Sequence, residues 1–267
     1  MAFHTWQIGL DIQNRQLCAL AVQRRREGWQ LCHWWQQRLP QDTLRNGVLQ
    51  SSPELLAALT TWRKRLPKRY SLRVGLPEQL VLQRCLPLPA QPLREPALRC
   101  YVQAAAQKLF PVAPEALALD YRLDSQSGQL CVTAARQAVI DQWLAPLRQA
   151  GLKPSIFDLT THALQKVTEV AQLSPGCVLV LPRETGWLWC EGRGVACSSD
   201  VATLAELQQL FPQPMKIYLC DTAENARARE AEPFSPFALL RYQQPPLPDC
   251  SGEFTLAAGL ALRKDDH

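Results

Sequence analysis

The sequence predicts an α/β fold laid out in three consecutive stretches, and two patterns lead to this prediction. Alternating apolar runs form a three-strand meander at the start of the chain, and a second small meander lies between residues 177 and 198. Amphipathic helical patterns and further strands separate the two meanders. With 267 residues, 47% hydrophobic and 20% charged, the chain is long and apolar enough to bury a large globular core.

Residues 1–76 form the first stretch, in which the meander is followed by one helix and one strand. The strands of the meander are residues 3–12, 17–23 and 29–38. Ser52 and Pro53 open the helix, because proline is tolerated at the first helical position. One apolar stripe predicts the buried face of this helix. It consists of Leu55, Leu56, Leu59, Trp62 and Leu66. Residues 71–76 complete the layer as a strand.

Residues 77–153 form a compact module, and the remainder forms the third stretch. In the module, a strand at 80–86, a helix at 95–110, a hairpin of strands 117–123 and 129–135, and a helix at 138–150 follow one another. The third stretch comprises a strand at 154–158, a helix at 160–171, the second meander, a helix at 201–211 and a strand at 215–220. Residues 221–252 are rich in proline and polar residues and predict irregular structure, before an apolar helix at 253–263.

The composition argues against several classes of protein. A net charge of +5 falls short of a dedicated nucleic-acid binder. The apolar runs are far shorter than the roughly 18–20 residues that cross a bilayer, and no signal-peptide pattern opens the chain. The ten cysteines include no Cys-x-x-Cys pair, which predicts buried reduced thiols and a cytosolic protein rather than disulfides or zinc. The cysteines within predicted strands are Cys18, Cys85, Cys131, Cys177, Cys190 and Cys220.

The opening hairpin carries the clearest chemical signal. Asp11 stands at the end of the first strand, before the turn Gln13-Asn14-Arg15. This layout resembles the first phosphate hairpin of actin-like ATPases, in which two strands wrap a nucleotide phosphate. Such a loop relies on glycine and small hydroxyl residues so that backbone N–H groups reach the anion, whereas this turn is bulky.

Ordered phrases along the chain resemble the PilM/HofM family, whose actin-like proteins serve type IV pilus assembly or DNA utilisation, and HofM most closely. The correspondence covers most of the first 170 residues and returns at the C-terminus. The phrases are Ile8-Gly9-Leu10-Asp11-Ile12, Arg73-Val74-Gly75-Leu76-Pro77, Leu82-Gln83-Arg84-Cys85-Leu86-Pro87-Leu88-Pro89, Ala150-Gly151-Leu152-Lys153-Pro154, Leu159 to Leu164, and Ala257-Ala258-Gly259-Leu260-Ala261-Leu262-Arg263.

The resemblance implies an actin-like, ribonuclease H-like fold of two lobes around a cleft, with an inserted subdomain of the kind found in the division protein FtsA. On this basis residues 1–76 are the first part of lobe 1 and residues 77–153 are the inserted subdomain. Residues 154–175 return to lobe 1, residues 176–252 form a reduced lobe 2, and residues 253–267 form a C-terminal helix.

Three departures from the family pattern predict a degenerate nucleotide site, and hence a pseudo-ATPase rather than an enzyme. The bulky first turn is one. In the second, Leu181-Pro182-Arg183-Glu184-Thr185-Gly186 replaces a loop that begins with an acid, so a metal-bound nucleotide loses a carboxylate, and proline removes a backbone donor. In the third, Asp221-Thr222-Ala223 lacks the expected glycine pair. The remnants of the site are Asp11, Asn14, Arg15 and Gly186.

Asp11 has two interpretations. It is a remnant metal or water ligand, or a strand-end acid that accepts hydrogen bonds from the backbone or from Arg15, and we expect the second. The four histidines are scattered, and His162 at a helix start is interpreted as a capping or packing residue. We therefore expect no catalytic residues, no metal and no cofactor.

By resemblance, the protein is a cytoplasmic adaptor that binds the cytoplasmic N-terminal peptide of a PilN/HofN-like inner-membrane protein, in a groove between lobe 1 and the insert. An extended peptide of this kind docks with apolar anchors in pockets and main-chain hydrogen bonds along its length. The candidate groove residues are Leu76, Leu80, Leu82, Arg84 and Leu86. The alternative is that they form the internal sheet of the insert.

The adaptor would lie at the cytoplasmic face of the inner membrane, held there by its partner, with no direct nucleic-acid contact; self-association stays open. It would serve pilus assembly or DNA uptake. The principal alternative is an actin-like protein that binds ATP with Mg, or a weak ATPase. A third alternative is a protein that binds a membrane surface or nucleic acid through residues 24–26 and 63–65. Its binding would depend steeply on salt concentration.

Overall fold

The computed structural model describes residues 5–89, 91–124, 128–192, 194–211, 215–220 and 231–264. Its described strands form two five-stranded sheets, a three-stranded sheet and a two-stranded sheet. In chain order the strands and helices are β1 (Trp6–Ile12), β2 (Gln16–Arg25), β3 (Gly28–Arg38), β4 (Leu44–Arg45), β5 (Val48–Leu49), α1 (Pro53–Arg63), β6 (Tyr70–Leu76), β7 (Val81–Leu86), α2 (Ala97–Leu109), β8 (Leu117–Asp124), β9 (Gln129–Arg136), α3 (Gln137–Gln149), β10 (Pro154–Leu159), α4 (Thr160–Ala171), β11 (Cys177–Arg183), β12 (Gly186–Glu191), β13 (Gly194–Ser198), α5 (Leu204–Gln208), β14 (Lys216–Cys220), β15 (Glu232–Phe234) and α6 (Thr255–Leu262).

The sheet of lobe 1 has the strand order β10-β6-β1-β2-β3. β1, β2 and β3 are antiparallel neighbours, whereas β1, β6 and β10 run parallel. Alternate residues such as Ile8 and Leu10 point to a core that contains Trp62 of α1 and Trp143 of α3. The other face is covered by α6, which packs against β1, β2 and β6. Because helices cover both faces, the middle strands β1 and β6 are buried along most of their length.

Lobe 2 repeats this arrangement, with the order β13-β12-β11-β14-β15. Again three antiparallel strands are followed by two parallel ones. The second meander therefore supplies three of the five strands of this sheet. Two predictions about this region are wrong. Residues 232–234, expected to be irregular, form a strand paired with β14, and the helix expected at 201–211 covers only Leu204–Gln208.

The insert is a separate three-stranded antiparallel sheet in the order β7-β9-β8. One face packs against α2 through its own core. That core includes Leu86, Val102, Ala106, Phe110, Leu130 and Val132. The helix α3 then returns to lobe 1, where Trp143 and Leu147 are fully buried. The prediction of buried thiols also needs correction, because Cys85 is exposed and Cys131 and Cys177 are half-buried, while Cys18, Cys190 and Cys220 are buried.

Candidate functional sites between the lobes and the insert

A cleft of about 760 Å³ lies at the carboxyl ends of the parallel strands of lobe 1, where α/β sheets commonly bind ligands. One wall comes from the turn between β1 and β2 and from the segment after β6. The other comes from the turn between β11 and β12 and from the end of β13. Lining residues include Gln13, Asn14, Glu78, Arg183, Glu184 and Ser198. The fold thus places the two candidate phosphate loops on opposite sides of one cleft.

Asp11 lies beneath this cleft rather than in its wall, with an exposed fraction of 1%. The amide Nε2 of Gln13 donates to Asp11 Oδ2 at 2.8 Å, and Oδ1 has no hydrogen-bond partner among the described residues. Burial raises the pKa of the Asp11 carboxyl, although the charge of Arg183 and the bond from Gln13 act against this rise. The expected partner of Asp11 was the backbone or Arg15, and that prediction is wrong: Gln13 is the donor.

Asn14 and Arg15 diverge at the tip of the turn. The amide Nδ2 of Asn14 donates to Glu184 Oε1 across the cleft at 3.3 Å, and Asn14 Oδ1 accepts from the N–H of Leu44 at 3.1 Å. Arg15 Nε instead donates to Asp42 Oδ1 at 2.6 Å, and both side chains are exposed. Asn14 therefore joins the two lobes, whereas Arg15 points away from the cleft.

Gly186 has a structural role in the turn of lobe 2. Its φ of +100° is one that residues with a side chain rarely adopt, and an added Cβ would lie 2.0 Å from the carbonyl oxygen of Ser198. The glycine is thus required by the approach of β13 to this turn. The third loop, residues 221–223, lies outside the described residues. Within the described part of the chain, no three His, Cys, Asp or Glu side chains come together as metal ligands.

A second depression of about 390 Å³ adjoins the cleft and is the groove between lobe 1 and the insert. Its walls come from β7 of the insert, from the start of α4 and from β13 of lobe 2. Lining residues include Glu78, Val81, Gln83, His162, Val195 and Cys197. Glu78 and Cys197 also line the cleft, so the two depressions are continuous. Among the described strands, β7 and β13 each have a single neighbour, and each is thus an edge strand.

The candidate groove residues do not line this groove. Leu76 is buried in the lobe 1 core and Leu80 packs against it. Leu86 is buried in the core of the insert. The antiparallel register pairs Leu82 with Ala134 and Arg84 with Val132, which places both on the α2 side of the sheet.

The alternate residues of β7 face the groove instead. Val81 and Gln83 lie on the opposite face of β7 from Leu82 and Arg84, because side chains alternate between the two faces of a strand. The sequence alone did not show which face of β7 packs on the core of the insert. Residues 82–85 are all exposed, so the strand lacks the alternation of buried and exposed residues that would indicate it. Gln83, which was not among the candidate residues, lines this groove.

A polar network holds the insert against lobe 1 beside the groove. His162 Nδ1 lies 2.9 Å from Asp158 Oδ1, and its Nε2 lies 3.1 Å from Arg122 Nη2 of the insert. Arg263 Nε pairs with Asp158 Oδ2 at 2.7 Å. Although burial favours the neutral acid, His162 and Arg263 hold the pKa of Asp158 below its ordinary value. His162, expected to be a capping or packing residue, thus bridges two subdomains.

The family assignment follows from sequence comparison. The family model of type IV pilus assembly protein PilM matches residues 9–177. The chain belongs to the PilM family. The resemblance to the PilM/HofM family is thereby confirmed. It is 29% identical, over 99% of both chains, to the DNA utilization protein HofM of Escherichia coli (strain K12).

Solved structures confirm the predicted actin-like fold. One is a PilM–PilN type IV pilus biogenesis complex, with a TM-score of 0.66, 20% identity and 98% of each chain covered. Another is the cytoplasmic domain of EpsL, an inner-membrane component of the type II secretion system of Vibrio cholerae, with a TM-score of 0.53, 11% identity and 97% and 96% covered. None of the described helices is long and apolar enough to cross a membrane.

Proposed function

We propose that this PilM-family protein is a cytoplasmic adaptor of a type IV pilus-like or DNA-uptake apparatus. It binds the cytoplasmic N-terminal peptide of a PilN/HofN-like inner-membrane protein and turns over no nucleotide. The observation that carries the proposal is the groove between β7, α4 and β13, found in a chain that shares its fold with the PilM of a PilM–PilN complex.

The groove suits an extended peptide. Two edge strands contribute to its walls, so unpaired main-chain groups are available for a strand-like ligand. Its lining mixes apolar Val81 and Val195 with the polar side chains of Gln83 and His162. Apolar anchors and a few polar contacts are the combination by which such grooves select a sequence.

Features of the cleft argue against nucleotide turnover. A working site presents its acid to a metal ion, whereas Asp11 is sealed beneath Gln13. The hydrogen bond from Asn14 to Glu184 already spans the space between the two loops. These residues do not fit Mg-ATP.

Substitutions at Gln83 and Arg84 test the peptide site. We expect Gln83→Trp to fill the groove and weaken binding of the partner's N-terminal peptide by at least about tenfold, because bulk there displaces the ligand. Arg84→Trp is the matched control: the same bulk on the next residue points to the other face of the insert and should leave affinity unchanged. Fluorescence anisotropy with a labelled peptide provides the measurement.

Equal weakening by both substitutions, or by neither, would contradict this groove. Thermal unfolding separates the adaptor from the ATPase alternative in the same preparations. A ligand at 100 times its Kd stabilises the native state by about 2.7 kcal/mol, so saturating peptide should raise the Tm measurably. Mg-ATP at millimolar concentration should not, and a rise with Mg-ATP would favour the alternative of an ATP-binding protein.

A further inference from the structure

The lobe 1 sheet has a strongly basic end opposite the cleft. The strands β1, β6 and β10 begin at this end, and the turn between β2 and β3 lies beside them. Residues 241–244 join them, because Tyr242 exchanges backbone hydrogen bonds with Trp29 and Leu31. We define the basic end as residues 24–27, 63–69, 151–153 and 241–244.

Charge is segregated to this end. The four segments contain ten lysine and arginine residues and a single acid, Glu27, which pairs with Arg241 at 3.0 Å. The remaining chain has 19 Lys and Arg against 23 Asp and Glu, a net charge of −4. The modest total of +5 thus conceals a net +9 at one end and an acidic remainder.

The basic end is broad and contains two concave sites. One, of about 700 Å³, is lined by Arg25, Arg26, Glu27, Arg241 and Tyr242 among others. The other, of about 350 Å³, is lined by Thr5, Arg63, Lys68, Arg69, Tyr70 and Lys153 together with Gly151. Four strand spacings separate β10 from β3, so the face is roughly 20 Å wide.

We propose that the basic end docks on the anionic phospholipid surface of a membrane. This inference goes beyond the peptide binding proposed above and does not depend on it. Clusters of Lys and Arg are attracted to anionic lipid headgroups without a fitted pocket. The exposed Lys64, Arg65 and Lys68 suit such contact, because their heads are free to adjust to a mobile surface.

Two alternative partners fit the face less well. Single-stranded nucleic acid binds through aromatic rings on which bases stack, but Arg24 covers Trp29 at 5.1 Å and Arg63 covers Tyr70 at 5.2 Å. A stable protein interface has an apolar centre, and Tyr242 is the single large apolar side chain among the described residues of the basic end that is well exposed.

Vesicle co-sedimentation of the full chain tests the proposal. We expect binding to phosphatidylcholine vesicles that contain phosphatidylglycerol, none to phosphatidylcholine alone, and release as salt rises from about 50 to about 500 mM. Each neutralised charge should lower partitioning roughly fivefold, so the triple variant Lys64→Gln, Arg65→Gln, Lys68→Gln should lose on the order of 100-fold.

The control variant is Arg94→Gln, Arg99→Gln, Lys108→Gln, which removes the same charge from exposed positions of the insert. It should bind vesicles as the parent does. No binding to anionic vesicles at low salt, salt-independent binding to neutral ones, or equal loss in both triple variants would overturn the proposal. Tight binding of a polyuridine RNA at about 150 mM salt without vesicle binding would also overturn it and assign the face to nucleic acid.

Discussion

At the scale of single residues, Asp11 is an acid that lies beneath the cleft and is closed off from it. It is the penultimate residue of β1, where one carboxylate oxygen accepts from Gln13 and the other is buried without a described partner. A buried polar group without a partner costs about 1–3 kcal/mol. Asp11 therefore weakens the fold at neutral pH and contributes little that a neutral side chain would not.

We accordingly expect Asp11→Asn to raise the free energy of unfolding by about 1 kcal/mol at pH 7. Burial raises the folded-state pKa of Asp11. The protonated carboxyl therefore favours the folded state, fully so below the ordinary pKa of 3.8, and this contribution is lost as pH rises through the raised value. The advantage of the variant should thus shrink as the pH falls toward 4. Urea unfolding at several pH values gives the comparison.

Asp158→Asn serves as the control of opposite sign. The folded-state pKa of Asp158 is lowered, so its stabilisation is present above the ordinary value and lost as pH falls through the lowered one. This variant should be less stable than the parent by about 2 kcal/mol at pH 7, with the deficit disappearing in acid. If Asp11→Asn behaved in the same way, Asp11 would hold a favourable charge that the geometry does not show.

At the scale of elements, α6 links the lobes because it is buried on every side. It packs on β1 and β2 of lobe 1 and on α4, and its Leu256 and Leu260 share a core with Leu179 and Leu188 of lobe 2. At Gly259 the two helices approach so closely that an added Cβ would lie 1.9 Å from the carbonyl oxygen of Ala163. The small residues of this closing segment therefore set the distance between the helices.

Gly259→Ala should destabilise the protein by at least about 3 kcal/mol, because two helix backbones must separate to admit one methyl group. Gly194→Ala is the comparison, since its nearest contact would be an ordinary 3.5 Å from Glu191. Chemical denaturation of both variants measures the difference. Similar unfolding midpoints for the two would show that α6 can shift without cost.

The sequence predicted the helices and strands with clear apolar periodicity better than it predicted β15 and the groove. The meander, α1 and α4 carry clear periodicities, Ser52 also caps α1, and all of them form close to the expected bounds. β15 was missed because its three residues lie in a proline-rich segment and gain order from β14. The candidates Leu82 and Arg84 lie on the face of β7 that is turned away from the groove. A strand whose residues are exposed on both faces has no apolar alternation that shows which face is which.

At the scale of the whole molecule, the lobe 1 sheet separates two surfaces. The cleft and groove lie where β1, β6 and β10 end, and the basic end lies where they begin. β6 has seven residues, so the two surfaces are roughly 23 Å apart along the strand. An extended peptide needs at least about seven residues to cover that distance, so a somewhat longer partner segment can reach the groove from a membrane beneath the basic end.

This separation predicts that the two binding events are energetically independent. Substitutions more than about 10 Å apart that share no partner usually act additively, within about 0.5 kcal/mol. The variant Lys64→Gln, Arg65→Gln, Lys68→Gln should therefore bind the partner peptide within about twofold of the parent, and Gln83→Trp should partition onto anionic vesicles as the parent does. Anisotropy and co-sedimentation on the same preparations measure both. A peptide affinity that falls with the basic residues would mean that the peptide itself runs along the basic end, because no described side chain lines both surfaces.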